Sequence, residues 1–440
     1  MRVLKFGGTS VGKPERMHSI TEIINDNHRK IVVLSAVSGT TNALVSIGDN
    51  LVAGNKAAAV AVIDKLWGEY QAFVAELYST EAGKANGTAV IEKEFALIRS
   101  VANQPTAGGV EQRLLLAQGE IISTQLFHHY CTEIGRKSVL LPALDFVLID
   151  EDNEPVLSFI EEKLTALLAQ YPDVNLFITQ GYVSRNPKGE VDNLKRGGSD
   201  YTATLLGAAI HAEEIQIWTD IDGMHNNDPR IVKRTFPVRE VSFDEAAELA
   251  YFGAKILHPT CIRPAQERGV PVKLLNTMEP SAEGTVITNN NSDRTVTAIA
   301  AKDGITVIKI KSTRMLLAYG FLRKVFEVFE KFKTPIDVIT TSEVALSITI
   351  DETHNLEAIK AELSEYCTIE IEDNQSIVCI VGNFTAEKPG LVLSVLNCIK
   401  DIPFRMISSG GSRHNTTIVL KSEYKNQALN LLNEGLFDWK

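Results

Sequence analysis

The sequence predicts an α/β protein, a sandwich with a mainly parallel sheet, followed by two smaller α+β units. Three observations carry this reading. Through roughly the first 285 residues, short apolar runs alternate with amphipathic helical stretches, the pattern of parallel strands joined by crossover helices. The polar stretch NNNSDR at 289–294 then reads as a linker. Beyond it the chain repeats itself: GFLRKVFEVFEKFKTPIDVITTSEVALSITI starts at Gly320, and GLVLSVLNCIKDIPFRMISSGGSRHNTTIVL starts at Gly390, 70 residues on.

Each element has a local reason. Val3–Phe6 is a short apolar strand, and a Gly-rich turn follows. A helix is expected to begin near Pro14, because proline suits the first helical position and Glu15 favours a helix N-terminus. Met17, Ile20 and Ile24 give it one apolar face. Ile31–Leu34 reads as a second buried strand, and long amphipathic helices fill about 56–78 and 110–134. Leu176–Thr179, Ile215–Thr219 and Val272–Leu275 are further strands, each after a helical stretch. Both repeat units run Gly, apolar helix, Pro, strand, polar turn, strand, and each follows a strand, at 307–310 and 377–381. The expected division is 1–288, 305–376 and 377–440. The strand at 305–311 is free to pair with the second unit, which would interleave the two.

Composition narrows the function. A chain of 440 residues is too long for one ordinary core. The apolar share of 44% and charged share of 22% are those of a soluble globular protein. No apolar run approaches the ~20 residues of a membrane helix, and the opening MRVLKFGG lacks signal-peptide order. Five cysteines are scattered without a CxxC pair or a Cys/His cluster, so neither a disulfide framework nor a zinc site is expected, and a cytoplasmic location fits. The net charge of −11 comes without a basic cluster, which argues against a nucleic-acid partner.

The chemistry-bearing segments lie at expected strand ends. In Lys5-Phe6-Gly7-Gly8-Thr9-Ser10 the glycines let backbone N–H groups approach a phosphate, while the lysine can offset charge on transferring oxygens. A tight turn with a solvated lysine is the plainer alternative. Gly7 to Lys13 also spells G-x-x-x-x-G-K, but Pro14 stands where a P-loop needs a hydroxyl for Mg²⁺. The hydroxylated run Ser35 to Asn42, with Thr41, can bond a carboxylate or phosphate, or be an ordinary loop. Glu120 sits in an apolar stretch of helix and needs either a cationic partner or a raised pKa. An internal arginine or the ammonium of an amino-acid substrate would serve. Arg196-Gly197-Gly198-Ser199-Asp200 opens a helix, with Ser199 or Asp200 expected as N-cap and Arg196 suited to a substrate carboxylate. Trp218-Thr219-Asp220-Ile221-Asp222-Gly223 leads to Arg230 from a strand end, where open α/β sheets bind ligands. Its spacing does not continue as an EF-hand. Lys255, in FGAKILHP, is a further nucleotide candidate.

Taken together, KFGGTS at 5–10, VLSAVSGTTN at 33–42, GE at 119–120, RGGSD at 196–200, WTDIDG…DPR at 218–230 and FGAKILHP at 252–259 resemble the aspartokinase family in order and spacing. The tandem βαββ units resemble ACT modules, which bind amino acids and pair sheets edge to edge. The resemblance spans nearly the whole chain and implies an amino-acid-kinase fold followed by two regulatory ACT domains. It is to the monofunctional form, since a chain ending at Lys440 leaves no room for a C-terminal dehydrogenase.

By position, Lys5 resembles the lysine that stabilises the transferred phosphoryl group, and Asp200 the acid that organises it. Ser35, Thr41, Glu120, Arg196 and Ser199 resemble the aspartate-binding set, with Glu120 on the ammonium and Arg196 on a carboxylate. Lys5, Gly7, Gly8, Thr219, Asp220, His225, Arg230 and Lys255 resemble nucleotide-binding positions. Met315, Gly320, Phe321, Leu322, Asp337, Thr341, Ser342 and Glu343 resemble the inhibitor site of lysine-sensitive members. Three positions depart from the family pattern: His225 for a frequent Tyr, Lys195 for a glycine before RGGSD, and Ala318 for a frequent Ser.

The implied reaction is attack of the L-aspartate β-carboxylate on the γ-phosphate of ATP, with Mg²⁺ accompanying the nucleotide and no tightly bound cofactor or protein-bound metal. The implied partners are L-aspartate, ATP, an amino-acid effector with lysine first among the candidates, and a second copy in a homodimer or tetramer. A sister kinase using another acid, or a non-catalytic amino-acid sensor, are the alternatives.

Overall fold

The computed structural model describes residues 1–104, 108–194, 197–253, 257–290, 294–311, 320–384 and 389–437. The chain forms two compact units, Met1–Met224 with Leu257–Asn290, and His225–Ile256 with Asn291–Lys440.

The first unit contains β1 (Arg2–Phe6), β2 (Lys30–Leu34), β3 (Val139–Leu141), β4 (Leu176–Gln180), a hairpin of β5 (Val183–Arg185) and β6 (Val191–Asn193), and β7 (Ile215–Thr219). β8 (Glu240–Ser242) belongs to the second unit, while β9 (Val272–Asn276) and β10 (Thr285–Thr288) return to the first. Within the first unit the main-sheet order is β3-β4-β2-β1-β7-β9-β10. Every pairing from β3 to β9 is parallel, and β10 runs antiparallel to β9. All residues of β2 and β4 are buried, as continuous apolar strands covered on both faces must be.

The covering helices are α1 (Gly8–Val11), α2 (Pro14–Ile23), α3 (Thr40–Val52), α4 (Lys56–Leu77), α5 (Glu81–Ala102), α6 (Gly109–Glu133), α7 (Leu157–Ala169) and α8 (Gly198–Ala209), with α9 (Phe243–Tyr251) in the second unit and α10 (Pro259–Arg268) in the first. One core joins Leu4, Phe6, Val32, Leu34 and Ile178 of the sheet to Met17 and Ile20 of α2, Ile63 of α4, Phe95 of α5 and Ile122 of α6. Phe6, Leu34 and Gln180 are in register, as are Phe6 and Trp218. The loops after β1, β2, β4 and β7 therefore start at one edge of the sheet.

Two local features differ from the expectation. The Gly-rich turn after β1 is itself a helical turn, α1, which precedes the helix at Pro14. The helix α5 is not among the expected elements: its apolar face begins only at Val90, and its first half packs through Gly83 and Gly87. A β-carbon on Gly87 would come 2.3 Å from the Tyr78 ring, so glycine serves close packing rather than a turn.

The second unit carries β11 (Val296–Lys311), α11 (Phe321–Lys331), β12 (Ile339–Thr341), β13 (Ala345–Ile350), α12 (Leu356–Leu363), β14 (Thr368–Gly382), α13 (Leu391–Cys398), β15 (Phe404–Ser409), β16 (Asn415–Lys421) and α14 (Ser422–Leu436). Its antiparallel sheet runs β12-β13-β11-β14-β16-β15. β11 spans both repeats. Its residues 306–311 pair with β13 and 307–311 with the start of β14, whereas 296–302 pair with the end of β14 alone. It is thus the earlier half of β11 that joins the second repeat, and 307–310 that joins the first.

The segment 225–256, placed by sequence with the first region, packs with the second unit. Asn226 and Asn227 donate to Asn433 Oδ1 of α14 at 3.0 and 3.4 Å, Phe236 meets Phe437 edge-on, and Asn415 donates to Glu248 at 2.6 Å. These buried amides and aromatic contacts tie it there.

Ile178, fully buried in β4, tests the core of the first unit. Ile178→Ala should lower the stability of that unit by about 2–5 kcal/mol, seen as an earlier urea transition by circular dichroism; an unmoved transition contradicts the packing.

Candidate active site

The site is built at the sheet edge where β1, β2 and β4 end. Lys5, one residue before the end of β1, is 8% exposed. Its ammonium lies 2.6 Å from Asp200 Oδ1 in the first turn of α8. A buried cation beside a carboxylate is well compensated, whereas either alone would be costly. Gly7 lets the chain pass close by, since a β-carbon there would sit 3.2 Å from Lys5 Nζ.

The start of α8 explains how Asp200 arrives. Neither Ser199 nor Asp200 is the N-cap; Gly197 is, at φ 66°. A β-carbon on Gly197 would fall 1.8 Å from Cys261 Sγ, so left-handed backbone and lack of space both demand glycine. Ser199 and Asp200, freed from capping, turn toward the site. Ser35 Oγ, after β2, donates to Ser199 Oγ at 2.9 Å. Gly181 leaves room for this, because a β-carbon there would meet Ser199 Oγ at 2.2 Å.

Gly8, Thr9, Ser35, Ala36, Val37, Ser38, Gly39, Thr41, Asn42, Glu120, Tyr182, Gly198 and Ser199 line one cavity of about 470 Å³. Glu120 is its one carboxylate and is 5% exposed. α6 reaches the cavity because Gly119 lies against Ala36 and Ser123 Oγ donates to the Ser35 carbonyl at 2.8 Å. The Ala36 backbone N–H donates to the Glu120 carboxylate, but Oε2 has no hydrogen-bond partner among the described residues. Burial pushes this carboxyl up to about 8, against an ordinary value of 4.5. Among the described residues no cation reaches Glu120, and burial raises its carboxyl. A cation entering the cavity would reverse that shift and use the open oxygen.

The other positions divide. Thr219 ends β7 beside β1 and Asp220 follows it, with Thr219 Oγ1 donating to Asp220 Oδ1 at 3.2 Å and the Gly7 N–H donating to the Trp218 carbonyl at 3.4 Å. His225 and Arg230 lie in the second unit. Arg230 makes a bidentate pair with Asp228 of its own loop at 2.9 and 2.7 Å and is 84% exposed; no phosphate contact can be read from that pose. Lys195, Arg196, Lys255, Met315 and Ala318 lie outside the described residues.

In the second unit, Gly320 caps α11 at φ 83°, Phe321 is buried and Leu322 exposed. Thr341 ends β12, and Ser342 and Glu343 lie in the exposed turn before β13. Asp337 has a partner that its sequence neighbourhood does not announce. Lys302 Nζ lies 2.9 Å from Asp337 and 2.7 Å from Asp351, over the Tyr251 ring, while Tyr251 Oη donates to Asp337 at 3.1 Å. Burial nevertheless holds the Asp337 carboxyl above its ordinary range.

Comparison with known proteins bears on this geometry. Residues 1–276 match the model of the amino acid kinase family, and 378–436 match that of an ACT domain. The chain is 35% identical to aspartokinase 3, chloroplastic, of Arabidopsis thaliana, covering 99% of this chain and 81% of that protein. It is 31% identical to lysine-sensitive aspartokinase 3 of Escherichia coli (strain K12), covering 99% of each. The chain belongs to the aspartokinase family. Among solved aspartokinases it is similar to E. coli aspartokinase III in complex with aspartate and ADP (R-state), with a TM-score of 0.84 at 31% identity over 100% of both chains. It is also similar to the same enzyme in complex with lysine and aspartate (T-state), with a TM-score of 0.83.

Sequence reasoning missed several cavity residues that this aspartokinase fold assembles. Thr9, Ser38 and Asn42 were legible as polar neighbours within motifs already singled out. Tyr182, at φ 65°, had no such signal; a tyrosine in left-handed backbone is uncommon and marks a constrained site.

The raised Glu120 pKa has a stability consequence. The folded state holds this proton above the unfolded value, so its contribution is fully present below about pH 4.5 and is lost as pH rises through about 8. Glu120→Gln should flatten that loss in melting temperatures measured from about pH 5 to pH 9; an equally steep decline in the variant would contradict it.

Proposed function

We propose that this chain is an aspartate kinase, transferring the γ-phosphate of ATP to the β-carboxylate of L-aspartate to give 4-phospho-L-aspartate and ADP. The observation that carries the reading is the Glu120 carboxylate, buried with an open oxygen in a hydroxyl-lined cavity whose Gly8–Thr9 wall continues from the strand bearing the Lys5–Asp200 pair. A buried anion suits the substrate ammonium. Ser35, Thr41 and Ser199, with Arg196, suit its carboxylates.

A carboxylate oxygen of aspartate forms the bond to the γ-phosphorus as the bond to the β–γ bridging oxygen breaks, and ADP leaves with that electron pair. The nucleophile is anionic at neutral pH, so no general base is needed. The protein's work is positioning and charge stabilisation. Lys5 faces the developing charge and Asp200 holds its ammonium in place. Gly7 and Gly8 let backbone approach the phosphates, and Thr219 and Asp220 extend that edge. By family resemblance alone, His225, Arg230 and Lys255 are further candidates for nucleotide contact. Among the described residues no group of three or more His, Cys, Asp or Glu is arranged to hold a metal ion. Mg²⁺ would travel with the triphosphate and its waters.

The ACT modules, 305–376 and 377–440, would bind an end-product amino acid, lysine first, near Gly320–Leu322, Asp337 and Thr341–Glu343. Because Lys302 already engages Asp337, an effector amine would compete with an internal ammonium. Binding that favours a less active state would give feedback control. The sheet-edge strands β12 and β15 suit a homodimer or tetramer, and the place in metabolism would be the first step toward lysine, threonine and methionine in the cytoplasm. No described helix is long and apolar enough to cross a membrane.

Lys5→Ala should lower kcat on the order of 10²–10³ with folding retained, measured by trapping the acyl phosphate with hydroxylamine; wild-type turnover would refute the role. Titrating activity with lysine, threonine and methionine should show inhibition by lysine; indifference to all three would remove the proposed control.

A further inference from the structure

Two ties hold α6 on either side of Glu120. Four residues after it, Thr124 Oγ1 accepts from Gln180 Nε2 at 2.7 Å, fixing the helix to the end of β4. Seven residues before it, Arg113 binds the β5–β6 hairpin. Its Nε lies 3.1 Å from Asp192 Oδ2 and its Nη2 lies 3.7 Å from Glu190 Oε2. The Arg113 carbonyl accepts from the buried Asn193 side chain at 3.2 Å. Asp192 is 10% exposed and Arg113 31%, so this pair is less screened than a surface ion pair.

The hairpin so held is the base of another cavity wall. Tyr182 immediately precedes β5. Its carbonyl accepts from the Leu194 N–H at 2.7 Å, closing the hairpin, and its own N–H donates to Thr202 Oγ1 of α8 at 2.9 Å. A β-carbon on Gly198 would touch its ring at 3.3 Å. Burial, with the nearby carboxylates of Glu120 and Asp192, raises the Tyr182 phenol, consistent with its place between the two.

We infer that Arg113 is a positioning residue: by clamping α6 to the hairpin through Asp192 it sets the spacing between Glu120 and the Tyr182–Ser199 wall, and so the length of dicarboxylic amino acid the cavity accepts. This rests on the aspartate-kinase reading. Arg113 does not line the cavity and has no part in phosphoryl transfer. Its effect falls on the acid substrate, because the clamp joins two walls of that cavity and touches neither Lys5 nor the glycine turn. A loosened clamp leaves the Thr124 tie intact, so the fold survives while the spacing relaxes.

The experiment compares wild type, Arg113→Gln, Asp192→Asn, and the exchange of Arg113→Asp with Asp192→Arg, using aspartate, glutamate and ATP as varied substrates. Each single variant should raise KM for aspartate about tenfold with a smaller change in kcat and an unchanged KM for ATP, and should narrow the preference for aspartate over glutamate. The exchange should recover part of that loss. Unchanged aspartate KM, or KM for aspartate and ATP rising together with a falling melting temperature, would overturn the inference. If Arg113→Gln does not fold, Arg113→Lys gives the same reading, since it keeps the charge and loses the fork. Failure of wild type to form hydroxamate with aspartate would instead refute the functional reading.

Discussion

The pairing of Lys5 with Asp200 is the constraint around which the first unit is arranged. A lysine at the end of a central, covered strand has little water to hold its charge, so a carboxylate must reach it. Asp200 does so only because α8 starts on a glycine in left-handed backbone packed against Cys261. The same start turns Ser199 toward Ser35. One ion pair thus fixes where β1 ends, where α8 begins and how the loop after β2 lies beside them.

Glu120 shows the opposite solution. It is slightly more buried than Lys5, it meets no cation among the described residues, and burial raises its carboxyl instead. The first unit thus holds one paired charge, outside the cavity lining, and one unpaired acid within it. The pair is already satisfied and serves as fixed electrostatics. The acid keeps an open oxygen, and a cation placed beside it would favour loss of its proton. A raised pKa favours the neutral acid, which a helix can carry inside an apolar face without losing its packing.

Much of this was legible in the sequence, for identifiable reasons. The strands were visible because β2 and β4 are buried on both faces and so carry the apolar runs Ile31–Leu34 and Leu176–Ile178. Ser35, Thr41 and Ser199 were found because they sit in motifs at strand and helix ends, where the fold delivers side chains to one edge, and Glu120 because a carboxylate stands out in an apolar stretch of helix. The misses have physical causes too. α5 hid because its glycines serve packing. Ser199 and Asp200 were read as caps because the local pattern permits it, and only the long-range contacts to Ser35 and Lys5 decide otherwise. Lys302 and Tyr182 carry no motif: one acts through a carboxylate 35 residues away, the other through an unusual backbone angle. The placement of 225–256 depended on buried amides of α14, some two hundred residues distant.

The 16-residue strand β11 has a consequence for how the duplicated modules evolve and behave. Because one uninterrupted strand is shared, neither repeat is a self-sufficient cassette: cutting the chain between them would leave half of β11 facing solvent with open hydrogen bonds. The bulge after Lys302, where its register shifts, is the natural joint in that shared girder. Sequence drift in one repeat is therefore answerable to the other, and the two must be inherited as a single instrument.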